Sequence, residues 1–590
     1  MNLFSRIKND LSFARKLSGI LKMTKDIQPD SPVTIADEIE ATVDRSPGTT
    51  AFIFEGQSQT YAAFDERANQ IAHWATAQGF QSGDTVAMIL ENCPDFVAVW
   101  FGLSKIGVVT ALINTNLEGD GLSHCINIVG SKAIIAGGEQ AKRAKDIQSG
   151  LTIWDFDGKS EEDFSQALSS QSKTRPDAGV RSHLRGSDTC LFIYTSGTTG
   201  LPKAAKITQM RFRGMGRTGI ALCGMNGDDR IYNVLPLYHT TGLGLGMVSA
   251  LHVGATTILR RKFSASAFWD DVADNDATLF AYIGEFCRYL LNADTHPKET
   301  SHKLRAGFGN GLRGEVWAPF VERFKVPSMR EIYGSTEGNV ALLNLDGTVG
   351  AVGHAPKWLD KKLGLAFVKF DVVEEVPIRD KSGFCIKADV DEAGEVLGRI
   401  GTSGRQAFSG YHEKKATKSK ILTDVFETGD RWFRTGDLMK RDRDGYVYFI
   451  DRVGDTFRWK GENVATNEVS DALSKYPGIS LANVYGIAVP GIEGKAGMAA
   501  ITVDEDFDLD GLHAYLAQHL PAYAIPLFIR IQPEAETTGT FKFRKVELVK
   551  EGFDLTKVDD PIWFADPEEE SYIKFGSAEH KRINEGGYRL

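Results

Sequence analysis

The hydrophobic positions between residues 34 and 138 alternate between helical and strand spacing. Ile35 and Ile39 lie one helical turn apart, and the run at 85–90 is continuously apolar, as in a buried strand. A second helical pattern follows at 94–107, beginning with a proline. Helices and strands in alternation indicate βαβ units and a largely parallel sheet. The predicted fold class is therefore α/β, with parallel-rich sheets layered with helices in a large N-terminal domain.

The first 25 residues form a separate pattern, a basic amphipathic helix. Its apolar positions recur every three or four residues at Phe4, Ile7, Leu11, Ala14, Leu17 and Leu21. Between them lie Arg6, Lys8, Arg15, Lys16, Lys22 and Lys25, opposed only by Asp10. Such a helix can lie on an anionic membrane surface, or it can dock on its own domain. An uninterrupted apolar core is missing, which argues against a signal peptide.

Residues 240–259 contain no charged side chain and are long enough to cross a membrane. Several glycines and His252 make this stretch only moderately apolar, which favours a helix buried inside the large domain. We therefore expect no transmembrane helix. The expected location is the cytoplasm, with peripheral attachment to the inner face of the membrane left open.

Length and composition limit the classes of function. A chain of 590 residues exceeds one hydrophobic core, so two or more domains are expected. The net charge of −10 argues against nucleic-acid binding. Six cysteines without C-x-x-C spacing indicate reduced thiols, with neither a disulfide framework nor a zinc site.

The most informative stretch is residues 194–203, which read YTSGTTGLPK after the apolar run 190–193. Glycine lets backbone N–H groups approach an anion, hydroxyls add donors, and lysine adds a positive charge. The spacing differs from a P-loop, because Gly197 and Gly200 are three residues apart and Pro202 precedes the lysine. A phosphate-binding loop and a polar surface turn both fit the pattern.

The full string resembles the phosphate loop of the acyl-adenylate-forming enzymes, which include acyl-CoA synthetases, luciferases and peptide-synthetase adenylation domains. The resemblance implies that ATP is bound by Tyr194, Thr195, Ser196, Gly197, Thr198, Thr199, Gly200 and Lys203. Thr195 is also a candidate catalytic residue.

A second motif, YGSTEGN at 333–339, strengthens the resemblance. Tyrosine offers a stacking face for adenine, Thr336 a hydroxyl for phosphate, and Glu337 a hard oxygen for Mg²⁺. By resemblance, the strand-end loop at 307–313 lies along the adenine. The implied nucleotide-binding residues are Gly309, Asn310, Gly311, Tyr333, Gly334, Ser335 and Thr336, with Glu337 as the catalytic metal ligand.

Three further segments resemble the part of the family that holds the acid. His239, within LPLYHTTG at 235–242, matches the substrate-gating motif and is a candidate catalytic and substrate residue. Tyr238 and His239 stand where an aspartate would hold an amino-acid substrate, which argues against such a substrate. Candidate substrate residues elsewhere are Tyr282, Gly284 and Gly461. The segment WFGLSKIG at 100–107 looks like the fatty acid transport protein branch, also called very-long-chain acyl-CoA synthetases.

The C-terminal part supplies the remaining implied residues. Asp437 is a candidate for the ribose hydroxyls, and Arg452 for the ribose and phosphates. Gly454 stands at the family's hinge position. Lys542, within TGTFKFRK at 538–545, matches the catalytic lysine, with Lys545 as a weaker alternative. The predicted divisions are a segment 1–29, an AMP-binding domain 30–451 and a mobile α+β domain 452–590.

The sequence therefore predicts a fatty acid–CoA ligase for long or very long chains, using ATP, Mg²⁺ and coenzyme A. Step one forms acyl-AMP and pyrophosphate, and step two forms acyl-CoA and AMP. Two alternatives remain: a CoA ligase for a steroid-side-chain or aromatic acid, and a fatty-acid uptake or binding protein. The fatty acid, ATP and CoA are the expected partners, together with an anionic membrane surface through 1–25. Chain length and oligomeric state are not predicted.

Overall fold

The computed structural model describes residues 3–147, 150–156, 163–197, 200–372, 374–402, 404, 406–460, 462–490, 492, 494–534 and 545–588. For 3–8, 196–197 and 200 only the backbone is described. Thr198, Thr199, Gly461 and Lys542 lie outside the described residues.

The helices follow one another along the described chain as α1 Leu3–Met23, α2 Ile35–Arg45, α3 Tyr61–Ala77, α4 Pro94–Lys105, α5 Gly119–Ile128, α6 Glu139–Asp146, α7 Phe164–Ser169, α8 Gln209–Cys223, α9 Val248–Val253, α10 Ala265–Asp274, α11 Gly284–Asn292, α12 Gly314–Phe324, α13 Asp360–Leu363, α14 Lys414–Ser419, α15 Thr466–Leu473, α16 Leu509–His519, α17 Val546–Glu551 and α18 Ser577–Asn584. Short 3-10 helices cover Ala178–Arg181, Lys357–Leu359 and Ala522–Ala524, and a π-helix covers Thr240–Met247.

The strands are β1 Thr50–Phe54, β2 Gln57–Thr60, β3 Thr85–Ile89, β4 Val109–Leu112, β5 Ala133–Ala136, β6 Thr152–Asp155, β7 Thr189–Gly197, β8 Gly200–Thr208, β9 Arg230–Asn233, β10 Thr256–Leu259, β11 Leu279–Ile283, β12 Ala306–Asn310, β13 Met329–Gly334, β14 Ala341–Asn344, β15 Gly353–His354, β16 Leu365–Val368, β17 Phe370–Asp371, β18 Val376–Pro377, β19 Gly394–Arg399, β20 Ile421–Thr423, β21 Arg431–Arg441, β22 Tyr446–Arg452, β23 Phe457–Trp459, β24 Glu462–Val464, β25 Ile479–Ile487, β26 Ala496–Val503, β27 Phe528–Ile531, β28 Ile562–Asp566 and β29 Ser571–Lys574.

The described chain divides into two compact units, and the larger one contains two parallel-rich sheets. This unit covers the described residues of 1–364, 398–423 and 430–433. One sheet has the strand order β14-β13-β12-β11-β9-β10-β1-β2, in which the strands from β13 to β1 pair in parallel. The other has the order β6-β5-β3-β4-β7-β8, parallel as far as β7. The predicted α/β class is confirmed.

Local sequence signals place the elements near their predicted positions. Thr34 caps α2 by accepting from the backbone N–H of Asp37, whose carboxylate accepts from Thr34 in return, a capping box. Pro94 begins α4, where a missing backbone N–H does no harm. The run predicted as a buried strand at 85–90 forms β3, which is buried along its whole length.

The stretch 240–259 is inside the larger unit, as predicted. Its first part is a π-helix followed by α9, and nearly all of these residues are buried. Its last residues, Thr256–Leu259, form β10 rather than helix. The turn at Gly254, whose φ is +81°, separates the two. No helix within the described residues has both the length and the apolar character needed to cross a membrane.

Helix α1 docks on its own domain. Phe13, Leu17 and Ile20 are buried in a hydrophobic cluster with the β9–β12 region. The Phe13 ring lies 4.7 Å from that of His354, and Lys16 Nζ donates to the Leu345 carbonyl at 2.9 Å. The buried face is thus rotated from the predicted stripe, since Leu11 is 65 % exposed.

The smaller of the two units contains most of the C-terminal part of the chain. It covers the described residues of 365–397, 424–429 and 434–590. One sheet has the strand order β25-β26-β27-β28-β29, and β21 pairs antiparallel with β22. The sequence placed the boundary at 451/452, whereas 365–397 and 434–451 group here with the C-terminal residues. The predicted domain limits remain a prediction.

Candidate active site

The candidate site lies where several strands of the eight-stranded sheet end. β9, β11, β12 and β13 are parallel neighbours, so their carboxyl ends meet at one edge. The segments that follow these strands are the ones singled out in the sequence: 235–242, Gly284, 310–313 and 335–338. Loops at the carboxyl edge of a parallel sheet commonly bind ligands.

The phosphate loop is the tip of the β7–β8 hairpin. Thr195 pairs with Lys203 and Gly197 with Gly200, so the predicted threonine and lysine face one another across the hairpin. Lys203 Nζ lies 5.9 Å from the ring centre of Tyr411. Thr195 and Lys203 can therefore act on one anion, whereas Thr198 and Thr199 lie outside the described residues.

Tyr194 does not present its side chain to a ligand. The ring is buried, and the hydroxyl donates to the Cys125 carbonyl. Burial raises the pKa of Tyr194 well above its ordinary value. Strand β7 is buried on both faces here, so only the backbone of this candidate nucleotide residue is placed to contact a ligand.

Tyr411 connects the phosphate hairpin to the loop that carries Glu337. Its hydroxyl lies close enough to the Glu337 carboxylate and to the Thr195 hydroxyl for both side chains to influence its pKa. Burial, together with the Glu337 charge, raises the pKa of Tyr411, which keeps the phenol protonated. Glu337 is 7 % exposed. Thr195, predicted to bind ATP, and Glu337, predicted to bind the metal, thus both lie beside the Tyr411 hydroxyl.

Tyr411 is not singled out by the sequence motifs. It is anchored on the hairpin, because the backbone N–H groups of Lys206 and His412 donate to the carbonyls of Gly410 and Ala204 at 3.0 and 2.8 Å. Arg211 was also missed. Its guanidinium donates to the carbonyls of Ser335 and Gly338, on either side of Glu337. Burial lowers the pKa of Arg211 to about 10, and the Glu337 carboxylate counters part of that shift.

At the predicted adenine loop, neighbouring backbone segments pack directly against one another. A Cβ on Gly309 would lie 2.0 Å from the Tyr282 carbonyl oxygen, and one on Gly284 would lie 1.8 Å from that of Gly311. Gly311 itself has φ +82°. Asn310 Oδ1 accepts from the Thr241 hydroxyl at 3.0 Å. These small residues leave a flat backbone surface suited to a base.

Tyr282 and Gly284 form the floor beneath this loop. Tyr282 is fully buried, and its hydroxyl lies 2.9 Å from the Arg330 carbonyl and 2.7 Å from Glu331 Oε2. The backbone of Gly284 packs directly against that of Gly311, which leaves no space for a side chain at position 284. Both were candidates for the acyl site. The structure places the Tyr282 side chain and the Gly284 backbone against the predicted adenine loop.

The buried Glu331 side chain supports the same loop through hydrogen bonds. Its Oε1 accepts from the backbone N–H groups of Gly311 and Leu312, the latter at 3.3 Å. Burial raises the pKa of Glu331 from 4.5 to about 8. The folded protein therefore keeps a proton on this carboxyl that the unfolded chain releases above its ordinary pKa.

The first prediction follows from this shift. The contribution of Glu331 to stability is complete below pH 4.5 and is lost as pH rises toward about 8, a change of a few kcal/mol. The glutamine in Glu331→Gln cannot ionise. The melting temperature of this variant, relative to that of the wild type, should therefore rise as the pH increases through this interval. Calorimetry of both proteins in a pH series tests this. Parallel curves would show that Glu331 is ionised in the folded state.

His239 is the residue that precedes the π-helix Thr240–Met247. Its ring is half-buried, and its centre lies 4.7 Å from that of Tyr238. Burial raises the pKa of Tyr238 to about 12, and the nearby Thr115 side chain offsets part of that rise. Asn92 fixes this turn by donating to the Leu235 carbonyl and accepting from Leu237 N–H, each at 2.9 Å. His239 is thus held at the carboxyl edge of the sheet.

The candidate ribose residues lie in the smaller unit. Asp437 and Arg452 are paired across β21 and β22, with an ion pair of 3.7 Å. Gly454 follows in a turn with φ +91°. Lys545 donates to Asp455 Oδ2 at 3.1 Å and to Thr466 Oγ1 at 3.0 Å. Lys545 thus has a structural role in its own unit.

The donor set at Glu337 fits one Mg²⁺ held mainly by phosphates. Magnesium sites for nucleotides use one or two carboxylates, and the phosphates and water supply the other oxygens. Glu337 provides one such carboxylate. The residues that the structure describes contain no group of three or more histidine, cysteine or acidic side chains placed to hold a metal by themselves.

Comparison with known proteins identifies the class. The model of the family described as AMP-binding enzyme matches residues 39–412. The anthranilate CoA ligase AuaEII in complex with anthranoyl-AMP has a TM-score of 0.76 at 21 % identity, covering 89 % of this chain and 98 % of its own. ATP-bound MatB from Rhodopseudomonas palustris has a TM-score of 0.73 at 23 % identity, covering 89 % and 100 %. The chain belongs to the AMP-binding enzyme family.

Within that family, three of the most similar curated proteins are long-chain fatty acid transport proteins. Long-chain fatty acid transport protein 6 of Mus musculus is 42 % identical over 554 residues, covering 92 % of this chain and 89 % of the relative. The Homo sapiens protein of the same name is 38 % identical, covering 100 % and 96 %. Long-chain fatty acid transport protein 1 of Mus musculus is 39 % identical, covering 94 % and 88 %. The predicted resemblance to the acyl-adenylate-forming enzymes, and within them to the fatty acid transport protein branch, is confirmed.

Proposed function

We propose that this protein is an ATP-dependent CoA ligase for long or very long fatty acids. The observation that carries the proposal is that Thr195 and Lys203 of the phosphate hairpin and the buried Glu337 carboxylate all lie around the Tyr411 side chain. A phosphate-binding turn and a metal-binding carboxylate at one point are the parts that ATP activation of an acid needs. Family membership and the CoA ligases of the same fold support the same reaction class.

The proposed chemistry has two steps. In the first, a carboxylate oxygen attacks the α-phosphorus of ATP, the bond to the β-phosphate oxygen breaks, and pyrophosphate leaves. In the second, the CoA sulfur attacks the acyl carbon of acyl-AMP, AMP leaves, and the thiol proton is released. A carboxylate lacks a leaving group, and adenylation supplies one. The protein contributes positioning and charge neutralisation rather than a covalent intermediate.

Each candidate site residue of the larger unit has a role in the first step. Thr195 and Lys203 bind phosphate oxygens, and Lys203 offsets their charge. Glu337 would hold Mg²⁺, which supplies further neutralisation of the phosphates when it is bound. The glycine-rich floor at 309–311 takes the adenine, with Tyr333 beside it at the end of β13. His239 stands where the acid would enter.

The substrate class is inferred from the relatives' printed names and from 238–239, where an aspartate for an amino group is missing. Pyrophosphate release and thioester formation should be measured with saturated acids of increasing length, a benzoate and a bile acid. We expect both products with the long acids, and thioester only when CoA is present. Turnover confined to the benzoate or the bile acid would assign the protein to the alternative ligase class. Fatty-acid binding without pyrophosphate release would assign it to the uptake class.

We also propose contact with an anionic membrane through a surface we call the Trp358 patch: Leu11, Trp358, Lys357, Lys361 and Lys362. Trp358 and Leu11 are 59 % and 65 % exposed, and Trp358 Nε1 donates to Asp10 Oδ2 of α1 at 3.1 Å. The three lysines beside Trp358 are exposed. An exposed tryptophan among lysines suits the lipid headgroup region.

Deleting α1 would expose Phe13, Leu17 and Ile20, so point variants test this proposal better than truncation. Trp358→Ala and the double variant Lys361→Glu/Lys362→Glu should reduce co-sedimentation with phosphatidylserine vesicles, while binding to phosphatidylcholine stays low throughout. The matched control is Lys574→Glu/Lys581→Glu, the same charge change on the exposed surface of the smaller unit. Equal sedimentation of all variants would show that this patch is not the contact.

A further inference from the structure

Arg211 connects two segments of the candidate site that are far apart in the sequence. It lies in the first turn of α8, directly after β8, and its backbone N–H donates to the Thr208 cap at 3.3 Å. Its side chain crosses to the loop after β13. Nη2 donates to the Ser335 carbonyl at 2.8 Å, and Nη1 donates to the Gly338 carbonyl. One guanidinium therefore holds both ends of the short loop whose third residue is Glu337.

This loop has few bonds of its own. Gly338 N–H donates to Ser335 Oγ at 3.2 Å. A Cβ on Gly338 would lie 2.3 Å from Phe433 Cε1, so the backbone packs directly on that ring. The Arg211 Nε is buried and has no hydrogen-bond partner within the described part of the chain. The positive charge also lies close enough to Glu337 to interact with its carboxylate.

We propose that Arg211 is a positioning residue that fixes the loop 335–338 and so orients the Glu337 carboxylate for Mg²⁺. The inference rests on the proposed function, because it takes Glu337 as the metal ligand. The planar fork of arginine bonds two carbonyls at once, and lysine cannot replace that geometry. Groups that orient a metal ligand commonly change metal affinity by 10- to 100-fold when they are removed.

A purely structural arginine would give a different result, and α8 provides the comparison. Arg213, two residues further along, is fully buried and donates to Asp26 Oδ2 at 2.7 Å and Glu38 Oε1 at 2.8 Å. A further bond goes to Ser31 Oγ at 3.2 Å, and all three partners lie within residues 26–38 rather than in the Glu337 loop. Arg213→Met therefore removes a buried arginine from the same helix without touching that loop.

The experiment measures ligand-induced shifts in melting temperature. ATP is held constant while Mg²⁺ is titrated, and AMP is tested separately without Mg²⁺. Arg211→Met should raise the Mg²⁺ concentration for half-maximal stabilisation about tenfold. It should weaken AMP binding by a clearly smaller factor, since Ser335 and Thr336 of the same loop are candidate nucleotide residues. Arg211→Lys should give an intermediate rise. Arg213→Met should lower the starting melting temperature and leave the Mg²⁺ midpoint as in the wild type.

An unchanged Mg²⁺ midpoint in Arg211→Met, or equal weakening of AMP and MgATP, would overturn the proposal. If Arg211→Met does not fold, Arg211→Lys decides between the same outcomes. The readout separates the inference from the proposed function. A protein that binds MgATP in an Arg211-dependent way but activates no acid would refute the function and retain the inference.

Discussion

Lys542→Ala is expected to stop the formation of acyl-AMP and pyrophosphate from ATP and fatty acid, while thioester synthesis from supplied acyl-AMP and CoA continues. The attacking carboxylate and the α-phosphate are both anions, and a lysine ammonium between them removes their repulsion. The second half-reaction does not require a free carboxylate to approach the α-phosphate. By resemblance, the small domain then turns this lysine away. A loss of roughly 10²–10³-fold is expected for adenylation alone.

Two other lysines of the same region serve as comparisons. Lys550 is exposed and pairs with Glu547 at 2.9 Å, so Lys550→Ala should keep both half-reactions. Lys545 is bonded to Asp455 and Thr466, so Lys545→Ala should lower stability and affect both half-reactions alike. If Lys542→Ala loses both half-reactions equally, the argument from domain rotation fails. If it loses neither, the match of 538–545 to the catalytic-lysine motif is wrong.

Glu337→Gln has the second largest expected effect, a fall in adenylation of one to several orders of magnitude. The substitution keeps the shape of the side chain and its place beside Tyr411, but it removes the charge that binds the metal. The loss corresponds to roughly 2–4 kcal/mol of electrostatic stabilisation. Acid-dependent pyrophosphate release should be measured over a range of Mg²⁺ concentrations, since the deficit should be greatest where Mg²⁺ is limiting.

The matched control is Glu322→Gln, the same change at an exposed position on α12. It should leave the Mg²⁺ dependence untouched. Near-normal pyrophosphate release by Glu337→Gln at limiting Mg²⁺ would remove Glu337 from the metal site. The carboxylate would then have a structural role, as the buried anion beside Tyr411 and Arg211.

The fold was predictable where its causes are local. The Thr34 cap, Pro94 at the start of α4 and the apolar run of β3 are each decided by a few neighbouring residues. The docking of α1 was left open because it depends on distant partners. Asp10 meets Trp358, 348 positions away, and the face that is buried is centred on Phe13 rather than on Leu11. Helical periodicity alone does not decide what a helix packs against.

The same distinction explains the site. The motif at 194–203 predicted that Thr195 and Lys203 both bind ATP, and the hairpin register places them opposite one another. Tyr194 and Tyr282 were assigned to ligands because they lie in motifs, but both side chains point into packed interior. A motif does not say which way a side chain faces. Arg211 was missed because its partner Gly338 lies 127 positions away, and nothing local marks the pair.

The central claim is acid activation by adenylation, and exchange of labelled pyrophosphate into ATP tests it most directly. The wild-type protein should be incubated with ATP, Mg²⁺, labelled pyrophosphate and a long-chain fatty acid, with CoA left out. We predict label in ATP that depends on the fatty acid and is lost in Lys542→Ala. Exchange that is absent without CoA, or that proceeds equally without the acid, would contradict the account.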